Sequence, residues 1–255
     1  MGYNMKKLFA FAAATALTFS LLACSENGTS PSRTAFVSDI GFNDIDKVLA
    51  EVADSEKVVF LLRHAERGED YSRAGLLTEN GIEQSKSVGE KLKTEEDFFY
   101  ASSDFGRTQQ TCDGIAEGRD EKNYQRETWD ILDGEWYEKN AALNAEKNWH
   151  NWETFSKMAY EGGYSQGYYD LASRSEEWLD SLMKHLPSMK RVNILISHDF
   201  LVAGMTIYGA NWQIDLRQWM NGKWINYLAG IAIIIDPSGN RRFKTVRGLE
   251  TGRLQ

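Results

Sequence analysis

The stretch 58–64, which reads Val-Val-Phe-Leu-Leu-Arg-His, decides the fold. Its five successive apolar residues are typical of a strand that is buried on both faces, as in a parallel sheet. Two similar runs, 98–101 and 192–196, also end directly before polar residues. Ligands of open α/β sheets bind at the carboxyl ends of the strands. The sequence therefore predicts a parallel sheet with a polar site at that edge.

Segments in which apolar residues recur with helical spacing lie between these strands. The further predicted elements are helices at 42–52, 78–92, 106–116, 171–186 and 200–208, and strands at 229–235 and 242–246. Such alternation predicts an α/β fold, a three-layer α/β/α sandwich around a mostly parallel central sheet. The region of about 135–170 breaks the pattern, because it is rich in Trp and Tyr and only weakly periodic. We interpret it as an insertion over one end of the sheet.

The amino terminus carries the pattern of an export signal. Two lysines precede an uncharged apolar run at 8–23, which is too short to span a bilayer comfortably but fits the core of a signal peptide. The run ends in Leu-Leu-Ala-Cys, which resembles the processing site of bacterial lipoproteins. The resemblance implies a signal peptide at 1–23, a lipidated Cys24 and a flexible tether at 24–40. The folded domain is then 41–255, held outside the cytoplasm by a lipid anchor in the membrane.

Composition narrows the function classes. The chain has 255 residues, 42% of them hydrophobic and 26% charged, which is typical of a globular domain. Its formal net charge is −8, whereas nucleic-acid-binding domains usually present a basic face, so no nucleic-acid partner is expected. Only two cysteines occur, which leaves no disulfide framework.

Three polar clusters follow predicted strands. They are Arg63-His64-Ala65-Glu66-Arg67, the segment from Ser102 to Thr111 with Arg107 and Thr108 inside it, and Ser197-His198-Asp199. Arginine forks match the geometry of phosphoryl oxygens and keep their charge at any working pH. A neutral histidine can attack phosphorus and form a covalent intermediate. The clusters therefore predict phosphate chemistry at the sheet edge.

The same clusters resemble the ordered motifs of the histidine phosphatase superfamily, branch 1, which includes the cofactor-dependent phosphoglycerate mutases. The matching segments are Arg63-His64-Ala65, with alanine in place of the usual glycine, Leu77-Thr78-Glu79-Asn80-Gly81-Ile82-Glu83-Gln84, Ser102 to Thr111, and Ser197-His198. The resemblance implies a phosphoglycerate mutase-like fold and assigns His64 as the nucleophile. Arg63, Arg107 and His198 are then expected to bind phosphate, and Arg67 to add a further positive charge. Neither a metal nor a cofactor is expected.

The residue that protonates the leaving group has two candidates. In mutase-like members it lies four residues before a Gly-x-Trp element, which places Asp130 before Gly134-Glu135-Trp136. In acid phosphatases it directly follows the second histidine, which places Asp199. The other motifs are mutase-like, so Asp130 is preferred here. Glu66 and Asp133 are further possibilities.

These features predict a metal-independent phosphomonoester hydrolase that works outside the cytoplasm through a phosphohistidine and takes a small phosphorylated substrate. Two alternatives remain open at this stage. One is a lipoprotein that binds phosphate or a phosphoester without turnover. The other is a protein-phosphohistidine phosphatase, which a shallow site would favour, whereas the aromatic insertion favours a cap over a small molecule.

Overall fold

A computed structural model describes residues 34–35, 41–216 and 225–249. Contacts divide the chain into Met1–Pro31 and Ser32–Gln255, and every described residue belongs to the second unit. The predicted signal peptide, Cys24 and most of the tether lie outside the described residues. Among the described residues, none of the helices combines the length and the apolar character needed to cross a bilayer.

Strands and helices alternate along most of the described chain. In chain order they are β1 (Thr34–Ala35), β2 (Asn43–Asp44), α1 (Ile45–Ala50), β3 (Lys57–Arg63), α2 (Glu79–Lys91), β4 (Phe99–Ser102), α3 (Gly106–Gly118), β5 (Arg126–Thr128), α4 (Ala141–Glu146), α5 (Trp152–Glu161), α6 (Leu171–His185), β6 (Val192–Ser197), α7 (Asp199–Gly209), β7 (Ala229–Ile235) and β8 (Arg241–Arg247). Short 3₁₀ turns occur at Asp130–Leu132 and Leu186–Ser188.

The strands form one mixed sheet of eight strands in the order β1-β8-β7-β3-β6-β4-β5, with β2 also paired to β8. Strands β3, β6, β4 and β5 run parallel to one another, whereas β7 runs antiparallel to both β3 and β8. Most pairings are therefore parallel, as predicted. The turn at 236–240 joins β7 and β8 into an antiparallel hairpin. In this turn Asp236 accepts hydrogen bonds from the backbone of Ser238 and Asn240.

Two hydrophobic cores cover the two faces of the sheet. Val59 and Leu61 of β3 belong to a core that includes residues of α5, α6 and α7. Phe60 and Leu62 belong to a second core with residues of α1, α2 and α3. Successive side chains of a strand point to opposite faces, so an unbroken apolar run is what a strand between two helical layers requires. The predicted three-layer sandwich is confirmed.

The structure differs from the sequence-based prediction near the amino end of the domain. The predicted helix at 42–52 is shorter, because Asn43 and Asp44 pair with β8 and the helix begins only at Ile45. Within the predicted tether, Thr34 and Ala35 add a short parallel strand to the edge of β8. Exposed strand edges offer unpaired backbone groups that recruit neighbouring segments, so a polar sequence does not prevent this pairing.

The aromatic insertion forms α4, α5 and the connecting loops. Its periodicity is weak because its side chains serve two purposes. Phe155 and Met158 of α5 are buried in the core shared with α6 and α7, whereas Trp152 remains 46% exposed. The latter residue contributes to the site described next.

Candidate active site

Three neighbouring parallel strands bring the polar clusters together. Arg63 is paired with Ser197, and Ser102 with Ile196, so β3, β6 and β4 end at the same level. A cavity of about 680 Å³ opens at this edge, and its walls include Arg63, His64, Arg67, Arg107, His198 and Asp199. The structure thus places both predicted histidines and all three predicted arginines in one cavity.

His64 lies at the end of β3 and is only 3% exposed. Its Nδ1 donates a hydrogen bond to the carbonyl of Ala65 at 2.7 Å. This bond selects the tautomer in which Nε2 carries a lone pair. Burial, and then the charge of Arg63, lower the pKa of His64 well below that of a free histidine. The ring is therefore neutral and nucleophilic at Nε2 near neutral pH.

His198 follows β6 directly and faces the same space, with its ring centroid 5.5 Å from that of His64. Its Nδ1 lies 3.3 Å from a guanidinium nitrogen of Arg107, which can only donate. Its Nε2 lies 2.9 Å from the hydroxyl of Ser103. The Nε2–H tautomer satisfies both contacts. Burial, together with the charge of Arg107, lowers the pKa of His198 to about 3.

Arg63 and Arg107 are both more than 90% buried. Arg63 donates to the carbonyl of Ile225 at 2.7 Å, and Arg107 donates to the carbonyl of Ser72 at 3.0 Å. Among the described residues, Nε of both side chains has no hydrogen-bond partner. Two buried guanidinium groups in one cavity wall supply fixed positive charge and N–H donors of the kind that bind phosphate oxygens.

Arg67 adds a third positive charge to the cavity. Its guanidinium stacks on the ring of Tyr71, with 3.5 Å between the guanidinium carbon and the ring centre. Such stacking leaves the edge of the guanidinium free to donate. Arg67 also acts on Arg107 electrostatically. Its charge adds to the effect of burial in lowering the pKa of Arg107. Three cations that repel one another in one cavity are stabilised by a dianion, and a phosphoryl group supplies that charge.

The two predicted proton donors are separated by the structure. Asp199 lines the cavity at the start of α7, and one of its carboxylate oxygens lies 3.6 Å from Arg63 Nη2. Asp130 is exposed, begins a 3₁₀ turn and is not part of the cavity wall. Ser197 holds this turn by donating to the carbonyl of Leu132 at 2.6 Å. The geometry therefore favours Asp199 over the preferred candidate Asp130.

The two further candidate donors, Glu66 and Asp133, also differ in their position relative to the cavity. Glu66 accepts hydrogen bonds from Thr78 and Asn80 at the start of α2 and does not line the cavity. Asp133 does line it, but its carboxylate is engaged by Arg73 at 3.1 Å. Among the described residues, no three His, Cys, Asp or Glu side chains are grouped so that they could hold a metal ion.

Sequence reasoning missed the residues that form the outer wall. His150, Asn151 and Trp152 of the insertion, together with Phe200, line the cavity. His150 lies at the surface, with 47% of its side chain exposed, and also belongs to the cavity wall. Gly134 also matters, because a Cβ there would lie 2.8 Å from that of His198. The only signal for this wall was the aromatic composition of the insertion, which does not indicate where its loops fold.

The match to known families agrees with this geometry. The model of the histidine phosphatase superfamily (branch 1) matches residues 59–234, which is more than half of the chain. The chain belongs to this superfamily, whose members are phosphatases or mutases. All four motif segments lie within the matched residues.

Solved structures resemble the chain at low sequence identity. Bacillus stearothermophilus YhfR aligns with a TM-score of 0.51 and 12% identity over 74% of this chain and 96% of its own. Phosphoglycerate mutase from Bacillus anthracis str. Sterne aligns with a TM-score of 0.48 and 15% identity over 75% and 93%. A mycobacterial glucosyl-3-phosphoglycerate phosphatase aligns with 0.48 and 18% over 76% and 100%. No curated protein matches the chain significantly.

Proposed function

We propose that this protein is a metal-independent phosphomonoester hydrolase that works through a phosphohistidine on His64. The observation that carries the proposal is the neutral, buried His64, whose Nε2 lone pair shares a cavity with three arginines. A nucleophile and a set of fixed positive charges at one point are the two requirements of phosphoryl transfer.

In the first step, Nε2 of His64 attacks the phosphorus atom. The Nε2–P bond forms, the bond from phosphorus to the ester oxygen breaks, and its electron pair goes to the departing oxygen, which takes a proton. Arg63, Arg67 and Arg107 hold the phosphoryl oxygens throughout. Their charge favours the transition state because it is already in place when negative charge shifts between oxygens.

In the second step, a water molecule attacks the phosphohistidine. The P–N bond breaks, the electron pair returns to Nε2, and one proton of the water passes to an acid–base group. Inorganic phosphate leaves and the site is restored. Of the two donors predicted from sequence, Asp199 suits this role, because it lies in the cavity beside Arg63.

Hydrolysis is favoured over a mutase reaction by the amino-terminal pattern. On that pattern we propose that the enzyme works outside the cytoplasm, anchored by a lipid on Cys24. A mutase must keep its phosphohistidine until an intermediate rebinds, and the dilute substrates that an exported enzyme meets do not favour this. Mass spectrometry of the mature protein tests this placement. The expected amino terminus is Cys24 with added acyl mass, and an unmodified chain starting at its initial methionine contradicts it.

The substrate is proposed to be a small molecule, since the insertion contributes His150, Asn151 and Trp152 to the outer wall of the cavity. A wall there narrows access for the surface of a folded phosphoprotein, which argues against the alternative of a protein-phosphohistidine phosphatase.

Release of inorganic phosphate from a panel of phosphomonoesters, with EDTA present, tests the proposal. The wild-type protein is expected to turn over at least one ester, and the His64→Ala variant none. Binding of inorganic phosphate without turnover of any ester would instead favour the binding lipoprotein.

A further inference from the structure

His150 is a further titratable group in the cavity, and residues outside the cavity wall hold it in place. Its Nδ1 donates to Glu138 Oε1 at 3.0 Å. Glu138 is mostly buried, and the amide of Asn144 donates to the same oxygen at 2.7 Å. Asn144 is fully buried and also donates to the carbonyl of Gly167 at 3.0 Å. A carboxylate fixed in this way sets the orientation and the tautomer of the ring.

The charges that act most strongly on His150 are negative, although Arg63, Arg67 and Arg107 line the same cavity. They belong to Glu138 and Glu135, in the segment before α4, and to Asp199 at the start of α7. The hydrogen bond from Glu138 contributes most, and it raises the pKa of His150 despite partial burial. The ring also packs against Phe200, the residue next to Asp199, with 5.0 Å between ring centroids. His150 therefore keeps its proton to higher pH than a free histidine does, in the same cavity as the carboxylate proposed as donor.

Asp199 by itself is poorly suited to donate a proton at neutral pH. A nearby positive charge favours the ionised carboxylate, and Arg63 lies 3.6 Å away. Two interacting groups, however, lose their protons as a pair. While His150 is protonated, the pair still holds one proton that can be transferred.

We propose that His150 is the proton reservoir of the reaction, that it supplies Asp199, and that Glu138 is its positioning residue. The inference rests on the proposed hydrolase activity. As the ester bond breaks, the departing oxygen takes a proton from Asp199, and Asp199 takes one from Nε2 of His150. When water attacks the phosphohistidine, one proton of the water returns through Asp199 to His150. One water is consumed in each cycle, and the pair is restored.

The pH profile of kcat tests the relay with two esters. Glycerol 2-phosphate has a poor leaving group that needs a proton, whereas p-nitrophenyl phosphate has a good one. The His150→Gln variant is expected to lose at least about tenfold in kcat on glycerol 2-phosphate at pH 7.5. At pH 5, where solvent protonates Asp199 more readily, the deficit should shrink. With p-nitrophenyl phosphate the rate of phosphohistidine formation should change much less, because its leaving group departs without a proton.

Two further variants separate the relay from a structural effect. Glu138→Gln removes the carboxylate that raises the pKa of His150, so its activity on glycerol 2-phosphate should decline at lower pH than in wild type. His185→Gln is the matched control, because His185 stacks on Trp129 and does not line the cavity. It should leave both profiles unchanged. An equal loss in the rate of phosphohistidine formation from both esters at every pH in His150→Gln would overturn the relay.

NMR titration of His150 provides a readout that does not need turnover. The Asp199→Asn and Glu138→Gln variants should each lower the pKa of His150, since each removes a negative charge near the ring. If the pKa of His150 is unchanged in Asp199→Asn, the two groups are not a pair and the inference fails. If the pKa responds but no ester is turned over by wild type, the pairing is supported, and the hydrolase proposal fails separately.

Discussion

His64 and His198 face each other with 5.5 Å between their ring centroids, each directly after one of two paired parallel strands. Their ring nitrogens are oriented by different partners, the carbonyl of Ala65 for His64 and the side chains of Ser103 and Arg107 for His198. The first ring therefore carries its lone pair on Nε2, as the proposed nucleophile requires, and the second is held in the cavity wall. The four predictions below test what this arrangement implies.

Replacing His64 by alanine should reduce kcat by at least about 10³-fold, because the covalent route is lost. Rapid quenching of wild type with a ³²P-labelled ester should trap acid-labile phosphate on the protein, and His64→Ala should trap none. Thermal unfolding should show that the variant folds. Turnover near the wild-type rate would contradict the assignment of the nucleophile.

Replacing Arg107 by lysine should reduce kcat/KM by about 10²-fold or more, although the charge is kept. A lysine cannot present a planar fork to two phosphoryl oxygens and cannot maintain the contact with His198. Calorimetric titration with inorganic phosphate should show weaker binding. Arg191→Lys is the control, since Arg191 pairs with Glu96 and does not line the cavity. Equal effects of the two changes would contradict a special role for Arg107.

The two predicted donors should differ when they are replaced by asparagine. Asp199→Asn should reduce kcat on glycerol 2-phosphate by about 10²-fold or more, and much less on p-nitrophenyl phosphate. Asp130→Asn should leave both close to wild type, since Asp130 is exposed and outside the cavity. The opposite pattern would restore the mutase-like assignment of Asp130 and would require the 3₁₀ turn at Asp130–Leu132 to move when substrate binds.

The stability of the fold should fall in acid partly because of the two active-site histidines. Their pKa values are lowered in the native state, so below about pH 6.5 the unfolded chain binds protons that the native state does not. Each histidine then costs up to about 1.4 kcal/mol of unfolding free energy per pH unit, a loss that continues for His198 towards pH 3.

Urea denaturation of wild type and His198→Gln at pH 7.5 and pH 5 measures this loss. The decline between the two pH values should be smaller in the variant, because glutamine does not titrate. The His185→Gln protein should retain the wild-type decline. Parallel declines in wild type and His198→Gln would show that His198 keeps an ordinary pKa in the folded protein.

Much of this molecule could be predicted from local patterns. The apolar run of β3 alternates its side chains between two cores, and a run of that kind is recognisable in sequence because burial on both faces removes polar positions. Thr78, where the predicted helix at 78–92 begins, caps α2 and accepts the hydrogen bond from the backbone of Gly81 at 2.9 Å. Capping depends on residues three apart in sequence, so it too is visible without a structure.

The sequence by itself thus determined the buried strands, the polar clusters that follow them and the residues proposed to bind phosphate, since each depends on short-range spacing. Only the tertiary structure decided which acid reaches the cavity. Asp130 and Asp199 each supply the carboxyl group that a family pattern requires. Asp130, however, lies in a 3₁₀ turn, whereas α7 places Asp199 beside Arg63. It also brought His150 from a distant loop to Phe200. Contacts of that kind join segments about fifty residues apart, and no local periodicity records them.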